Sequence, residues 1–122
     1  MIRILVTGFE PFGGEAVNPS WEAVKLLSGW AADTAVSRLL VPTAYEGSIA
    51  AVTAACDRLA PQIVLMTGQA GGRCGLSFER IGVNLDEASI PDNAGVCRNG
   101  TPIFSGGPAA CFSTLPLHRL VQ

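Results

Sequence analysis

The sequence predicts an α/β fold built on parallel strands, and three observations carry that expectation. Short apolar runs with a β-branched bias recur at residues 2–6, 35–41 and 63–66, each closed by Thr-Gly or Pro. Two stretches with helical apolar spacing lie between them. The composition is 48% hydrophobic and 15% charged, which is enough apolar material to build a core. Strand, helix, strand, helix, strand in this order calls for parallel strands joined by right-handed crossovers. A chain of 122 residues suits one domain, so residues 1–122 read as a single α/β domain.

The first strand, Ile2 to Val6, is a short apolar run of the buried kind and ends at Thr7-Gly8. Asn18-Pro19-Ser20 opens a helix, with Asn18 as N-cap and Pro19 at the first helical position. Trp21, Val24 and Leu27 recur at three-residue steps and give that helix a face to lay on a sheet. The second strand runs from Ala35 to Val41 and is closed by Pro42. A second helix is expected from about Tyr45 to Ala60, with Ile49, Val52, Cys56 and Leu59 on its apolar face and Pro61 as its stop. The third strand is Ile63 to Met66.

Beyond Gly68 the pattern changes. Gly71, Gly72 and Gly75 mark an irregular loop, and residues 77–85 alternate weakly enough to suggest one more strand. Residues 91–95 and 106–108 carry turn chemistry. Thr114 can cap a last helix whose apolar residues are Leu117, Leu120 and Val121. Eight residues make a poor helix alone, so the natural chain is expected to continue past Gln122.

Charge and cysteine usage narrow the function. The formal net charge is −2 and the pI about 5.2, with no basic cluster, so nucleic acid and anionic lipid are not the expected partners. No stretch has the length of a membrane span. A secretory signal would need a cleavage site and a longer apolar region than the first strand, which begins right after Met1, so none is expected. A cytoplasmic protein is the expectation. Cys56, Cys74, Cys97 and Cys111 match no zinc pattern and are expected to be free thiols, with Cys56 and Cys111 packed in the interior. No metal and no cofactor is expected.

Three motifs stand out. Gly8-Phe9-Glu10-Pro11-Phe12-Gly13-Gly14 follows the first strand, but its spacing is neither GxGxxG nor a P-loop. Two phenylalanines on such a loop either fold back on the core or line a pocket. Gly68-Gln69-Ala70-Gly71-Gly72-Arg73 follows the third strand. Binding loops of parallel sheets gather at the carboxyl ends of strands, so these two loops are expected to meet. Gln69 is either a turn residue or a donor and acceptor for a small amide. In Phe78-Glu79-Arg80, Glu79 is either a surface carboxylate or a group that orients a histidine. His118 is the sole histidine, and a lone helical histidine is more often packed or exposed than catalytic.

Taken together the motifs resemble those of the pyroglutamyl-peptidase I family, also called pyrrolidone-carboxylate peptidases. The matching stretches are VTGFEPFGG at 6–14, NPSWEAV at 18–24, VPT at 41–43, GQAGGR at 68–73, ER at 79–80, IPDNAG at 90–95 and GGPAACFSTLPL at 106–117. They fall in order along essentially the whole chain. The resemblance implies a three-layer α/β/α sandwich with a mainly parallel twisted sheet, incomplete at the carboxyl end. It implies a cysteine peptidase that removes an amino-terminal pyroglutamyl residue from peptides, without cofactor, in homo-oligomers that are tetramers in bacteria. By motif position it assigns Phe9, Phe12, Thr43, Gln69 and Ile90 to the pyroglutamate pocket, and Glu79 to the acidic member of a Cys-His-Glu set. A flat, uncharged lactam suits an aromatic clamp with a few amide hydrogen bonds.

The sequence departs from the family pattern in three ways. The family nucleophile lies in an AGxxxCN-like segment, with its histidine further on, and both fall downstream of residue 122. Cys97 sits in a look-alike segment that belongs to the IPDN loop, and His118 falls where the family has no catalytic residue. Ser89 stands where the family usually carries Arg near its oxyanion site. A non-catalytic or truncated relative that binds or assembles is the alternative function, and a nucleotide-binding α/β module, lacking a phosphate loop, is the weaker third.

Overall fold

The computed structural model describes residues 1–28 and 31–121. They form two compact units. The first comprises Met1–Ala70 and Ile90–Val96, the second Gly71–Ser89 and the residues from Cys97 on.

The first unit is a three-layer α/β/α arrangement around a parallel sheet of order β2-β1-β3. β1 is Ile2–Phe9, β2 is Thr34–Val41 and β3 is Ile63–Met66. β1 runs the full length of β2, from the Ile2–Thr34 pair to the Phe9–Val41 pair, and pairs with β3 from Ile4–Ile63 to Thr7–Met66. It therefore extends past the Thr-Gly expected to end it. Pairing with β2 through Phe9, joined by pairing with β3 as far as Thr7, satisfies its backbone and overrides the turn-forming bias of those two residues. The first crossover leads outward from β1 to β2 and the second returns past β1 to β3. Right-handedness then puts their helices on opposite faces.

α1, Pro19–Lys25, starts as the sequence predicts. Asn18 is fully buried, and its Oδ1 accepts hydrogen bonds from the Ser20 amide at 3.0 Å and the Ser20 hydroxyl at 2.7 Å. Val24 packs on Ile4 and Val6, flanked by Trp21, Leu27, Val36 and Leu65. Close contact between α1 and β1 depends on Gly8. A Cβ there would stand 2.8 Å from the Trp21 backbone nitrogen and Cα. Because backbone cannot swing aside, Gly8→Ala is expected to cost about 3 kcal/mol, read as a lower urea midpoint at unchanged slope. A midpoint equal to that of the parent would show that α1 is free to move outward.

α2, Tyr45–Leu59, follows a capping Ala44 and closes on Ala60 in the left-handed region (φ 42°), whose N–H donates to Cys56 O. Pro61 forbids continuation, as expected. The buried position on this helix is Ala55, flanked by half-buried Ala51, Val52, Cys56 and Leu59, whereas Ile49 is 49% exposed. The apolar face is thus rotated from the one expected: Ala55 is the point of closest packing, and Cys56 is half-buried rather than core.

The second unit is built from short antiparallel pairs. β4, Ile81–Val83, pairs with β7, Ala110–Phe112. β5, Asp86–Glu87, pairs with β6, Asn99–Thr101, across a register irregularity. Only 81–83 of the weakly alternating stretch 77–85 is strand. The other strands of this unit carry no apolar alternation to reveal them, since their residues are mostly exposed. Asp86 is 9% exposed and meets Arg98 at 3.1 Å. The Asn84 side chain both accepts from the Phe104 N–H at 2.8 Å and donates to its carbonyl at 2.9 Å. Cys111, expected to be packed, is exposed on β7, because a three-residue strand in a two-stranded pair leaves one face open. α3, Leu117–Leu120, starts from Pro116 without a side-chain cap, so Thr114 does not serve as its N-cap. Its Leu117 is buried.

Candidate functional site

In the first unit the carboxyl ends of all three parallel strands meet, together with the returning segment Ile90–Val96. Phe9 is the last residue of β1 rather than a loop residue, and its backbone N–H donates to the Ser20 hydroxyl at 2.9 Å. A Cβ on Gly68 would lie 3.9 Å from the edge of the Phe9 ring, so the loop after β3 does close on the end of β1. Gln69 follows Gly68 directly and is exposed. Phe12 is half-buried, in a turn closed by the Glu15 N–H to the Phe12 carbonyl at 3.2 Å. Gly13 (φ 64°) and Gly14 (φ 82°) take left-handed conformations there that other residues resist. The Ile90 Cδ1 lies 3.7 Å from where a Cβ on Gly13 would be. Ile90, 49% exposed, therefore stands beside the loop after β1.

Thr43 is drawn to the same place through Glu10. Its Oγ1 donates to the Glu10 carbonyl at 3.0 Å and its N–H to Glu10 Oε1 at 3.1 Å. Asn93 donates from Nδ2 to Glu10 Oε1 and to the Pro11 carbonyl, both at 2.9 Å, and its own N–H reaches the Thr43 carbonyl at 2.9 Å. Asp92 fixes the rest of the returning segment. Its Oδ1 accepts from the N–H groups of Ala94 (2.9 Å) and Val96 (2.8 Å), and its Oδ2 from that of Tyr45 at the start of α2 (2.9 Å). Phe9, Phe12, Thr43 and Ile90 are thus held by one connected set of loops, with Gln69 next to the Phe9–Gly68 contact. Sequence reasoning did not single out Glu10 or Asn93, and it read Asn18 only as a helix cap. A carboxylate flanked by two phenylalanine positions was the available signal for Glu10. Asn93 reads from sequence only as turn chemistry.

Glu79 belongs to the second unit. Its carboxylate is 78% exposed and meets Arg73 at 3.5 Å, a surface ion pair of small energetic weight. The same unit has an open apolar hollow of about 360 Å³, lined by Val83, Ile103, Phe104, Pro108 and Ala110 among others. None of the residues expected at the pocket lines it.

A family model described as pyroglutamyl peptidase matches residues 2–122, nearly the whole chain. The chain belongs to the pyroglutamyl peptidase family. It is 49% identical over 124 residues to the pyrrolidone-carboxylate peptidase of Klebsiella pneumoniae (strain 342), covering 100% of this chain and 58% of that relative. The fold agrees with solved family members. The crystal structure of Bacillus amyloliquefaciens pyroglutamyl peptidase I matches with a TM-score of 0.93 at 46% identity, over 99% of this chain and 59% of that one. Pyrrolidone carboxyl peptidase from the hyperthermophile Pyrococcus furiosus matches with a TM-score of 0.92 at 39% identity, over 98% of this chain and 58% of that one. The chain therefore spans a little under three-fifths of these pyroglutamyl peptidases. Among the described residues no helix is long and apolar enough to cross a membrane.

Proposed function

We propose that this sequence is the substrate-binding part of a cysteine peptidase that removes an amino-terminal pyroglutamyl residue from peptides. The observation that carries this reading is the meeting of the family's loops at the end of the parallel sheet, with Phe9 against Gly68 and Ile90 beside Gly13. In it, Phe9 and Phe12 clamp the lactam ring, Thr43 and Ile90 complete the wall, and Gln69 supplies amide hydrogen bonds to the ring. A neutral lactam needs no charged partner, and aromatic faces with a few amide groups suit it. The nucleophilic cysteine and its histidine come from the part of the family's length that this chain does not span, and Glu79 orients that histidine. The thiolate attacks the pyroglutamyl carbonyl, the histidine protonates the departing amine, and water releases pyroglutamate from the acyl-enzyme. The working protein is a cytoplasmic homo-oligomer, a tetramer as in its bacterial family.

The test uses a polypeptide of the relatives' length that begins with this sequence. Phe12→Ala is expected to weaken binding of a pyroglutamyl inhibitor by about ten- to a hundredfold, since one buried aromatic contact is worth about 1–3 kcal/mol. A folded Phe12→Ala protein that binds as tightly as its parent would remove Phe12 from the pocket. Tight binding of the inhibitor without any turnover would favour a non-catalytic relative, for which Ser89 in place of the family's Arg is the motive.

A further inference from the structure

We infer that Glu10 is the positioning residue of this pocket, and that it acts as a hydrogen-bond acceptor rather than through contact with substrate. The inference rests on the proposed function for the identity of the ligand, but its geometry stands apart from it. Residue 10 is held by five hydrogen bonds to other parts of the first unit. Its N–H donates to the Val41 carbonyl at 3.0 Å. Its carbonyl accepts from Asn18 Nδ2 at 3.1 Å and from Thr43 Oγ1 at 3.0 Å. Its Oε1 accepts from the Thr43 N–H at 3.1 Å and from Asn93 Nδ2 at 2.9 Å. The first three fix the backbone, so the side chain starts from a set origin. The last two tie the turn after β2 and the returning segment to that origin.

The first of these three loops follows Phe9 and carries Phe12, and the other two carry Thr43 and Ile90. A half-buried carboxylate satisfied by neutral donors holds them more firmly than a neutral acceptor would, because charge-assisted bonds are the stronger ones. Losing the acceptor takes one bond each from the Thr43 amide and the Asn93 side chain. The remaining bonds, from Asn93 to the Pro11 and Thr43 carbonyls and from Thr43 Oγ1 to the Glu10 carbonyl, hold the pocket wall less firmly. The reacting groups stay where they are, so the loss falls on ground-state and transition-state binding alike.

The experiment compares Glu10→Ala, Glu10→Gln, Asn93→Asp and the double variant Glu10→Gln/Asn93→Asp in the polypeptide of the relatives' length. Steady-state kinetics on a pyroglutamyl amide are measured together with amide exchange at Thr43. Glu10→Ala is expected to raise KM by about ten- to a hundredfold while kcat falls far less, and to speed Thr43 exchange. Glu10→Gln recovers most of that loss, since its amide oxygen still accepts from both donors. Asn93→Asp sets two carboxylates against each other and raises KM. The double variant recovers the part of the loss that comes from the two facing carboxylates, because the new amide donates to the new carboxylate, while the bond to the Pro11 carbonyl stays lost. A fold defect would lower the melting temperature and kcat with KM, and would not follow this pattern of rescue. Should Glu10→Ala fail to fold, Asn93→Asp and its rescue report on the same tie.

A wild-type KM in Glu10→Ala, or a double variant no better than Asn93→Asp, overturns the inference. A parent protein with no action on pyroglutamyl amides sinks the proposed activity alone. Glu10 is then judged on exchange: Thr43 protection lost in Glu10→Ala and kept in Glu10→Gln supports the tie, and equal protection in every variant overturns it.

Discussion

The 122-residue polypeptide is expected to release no product from a pyroglutamyl amide, while a polypeptide of the relatives' length that begins with the same sequence does. Acyl transfer by a thiol needs a thiolate with a base in hydrogen-bond reach. Cys56 is half-buried on α2, and Cys74, Cys97 and Cys111 are exposed. Cys97, which mimics the family's nucleophile segment, donates its thiol proton to the Ala88 carbonyl at 3.3 Å. Losing nucleophile and base together removes roughly a millionfold in turnover in a comparable hydrolase. The difference between the two polypeptides should therefore span the full range of the assay. Turnover by the short chain, abolished by Cys97→Ala, would show that the nucleophile lies here after all.

In the longer polypeptide Glu79→Gln should lower kcat by roughly a hundred- to ten-thousandfold with little change in KM, since the carboxylate's proposed role is to set the tautomer and orientation of the histidine. Arg73 does not stand in the way. The pair is long, at 3.5 Å, and both side chains are more than half exposed, so it contributes about 1 kcal/mol or less and is readily exchanged for another partner. Inhibitor binding measured on the same variant separates the two roles. If Glu79→Gln keeps the parent's turnover, Glu79 is a surface carboxylate.

The first unit was legible in the sequence because its elements are defined by burial. Ile4, Leu5, Val6, Val24 and Val41 are buried, and each lies on a strand or helix that periodicity finds. The Asn18-Pro19 start and the Pro61 stop rest on local chemistry and came through unchanged. The second unit was poorly legible for the converse reason. Asn99-Gly100-Thr101 is a strand that carries no apolar pattern to announce it, held by a ladder to Asp86 and Glu87. Exposure of Cys111 likewise follows from its place on a short strand, β7, that the sequence did not reveal. In the candidate site, the meeting of the loops after β1 and β3 could be read from the rule that parallel sheets gather loops at carboxyl ends. Glu10 could not, because its function depends on Asn93, and no spacing rule links two residues so far apart in sequence.

That separation has a consequence for biosynthesis. Glu10 and Asn93 lie 83 residues apart. At roughly 5–20 residues per second, the ribosome delivers Asn93 about 4–17 seconds after Glu10. During that interval β1, β2 and β3 can pair and the bonds of Glu10 to Val41, Asn18 and Thr43 can form, yet its carboxylate still lacks the bond from Asn93. Maturation of the pocket is thus ordered in time behind completion of the sheet. A ribosome stalled before Asn93 would hold a scaffold in which the loop after β1 and the turn after β2 are tied to each other but not to the returning segment.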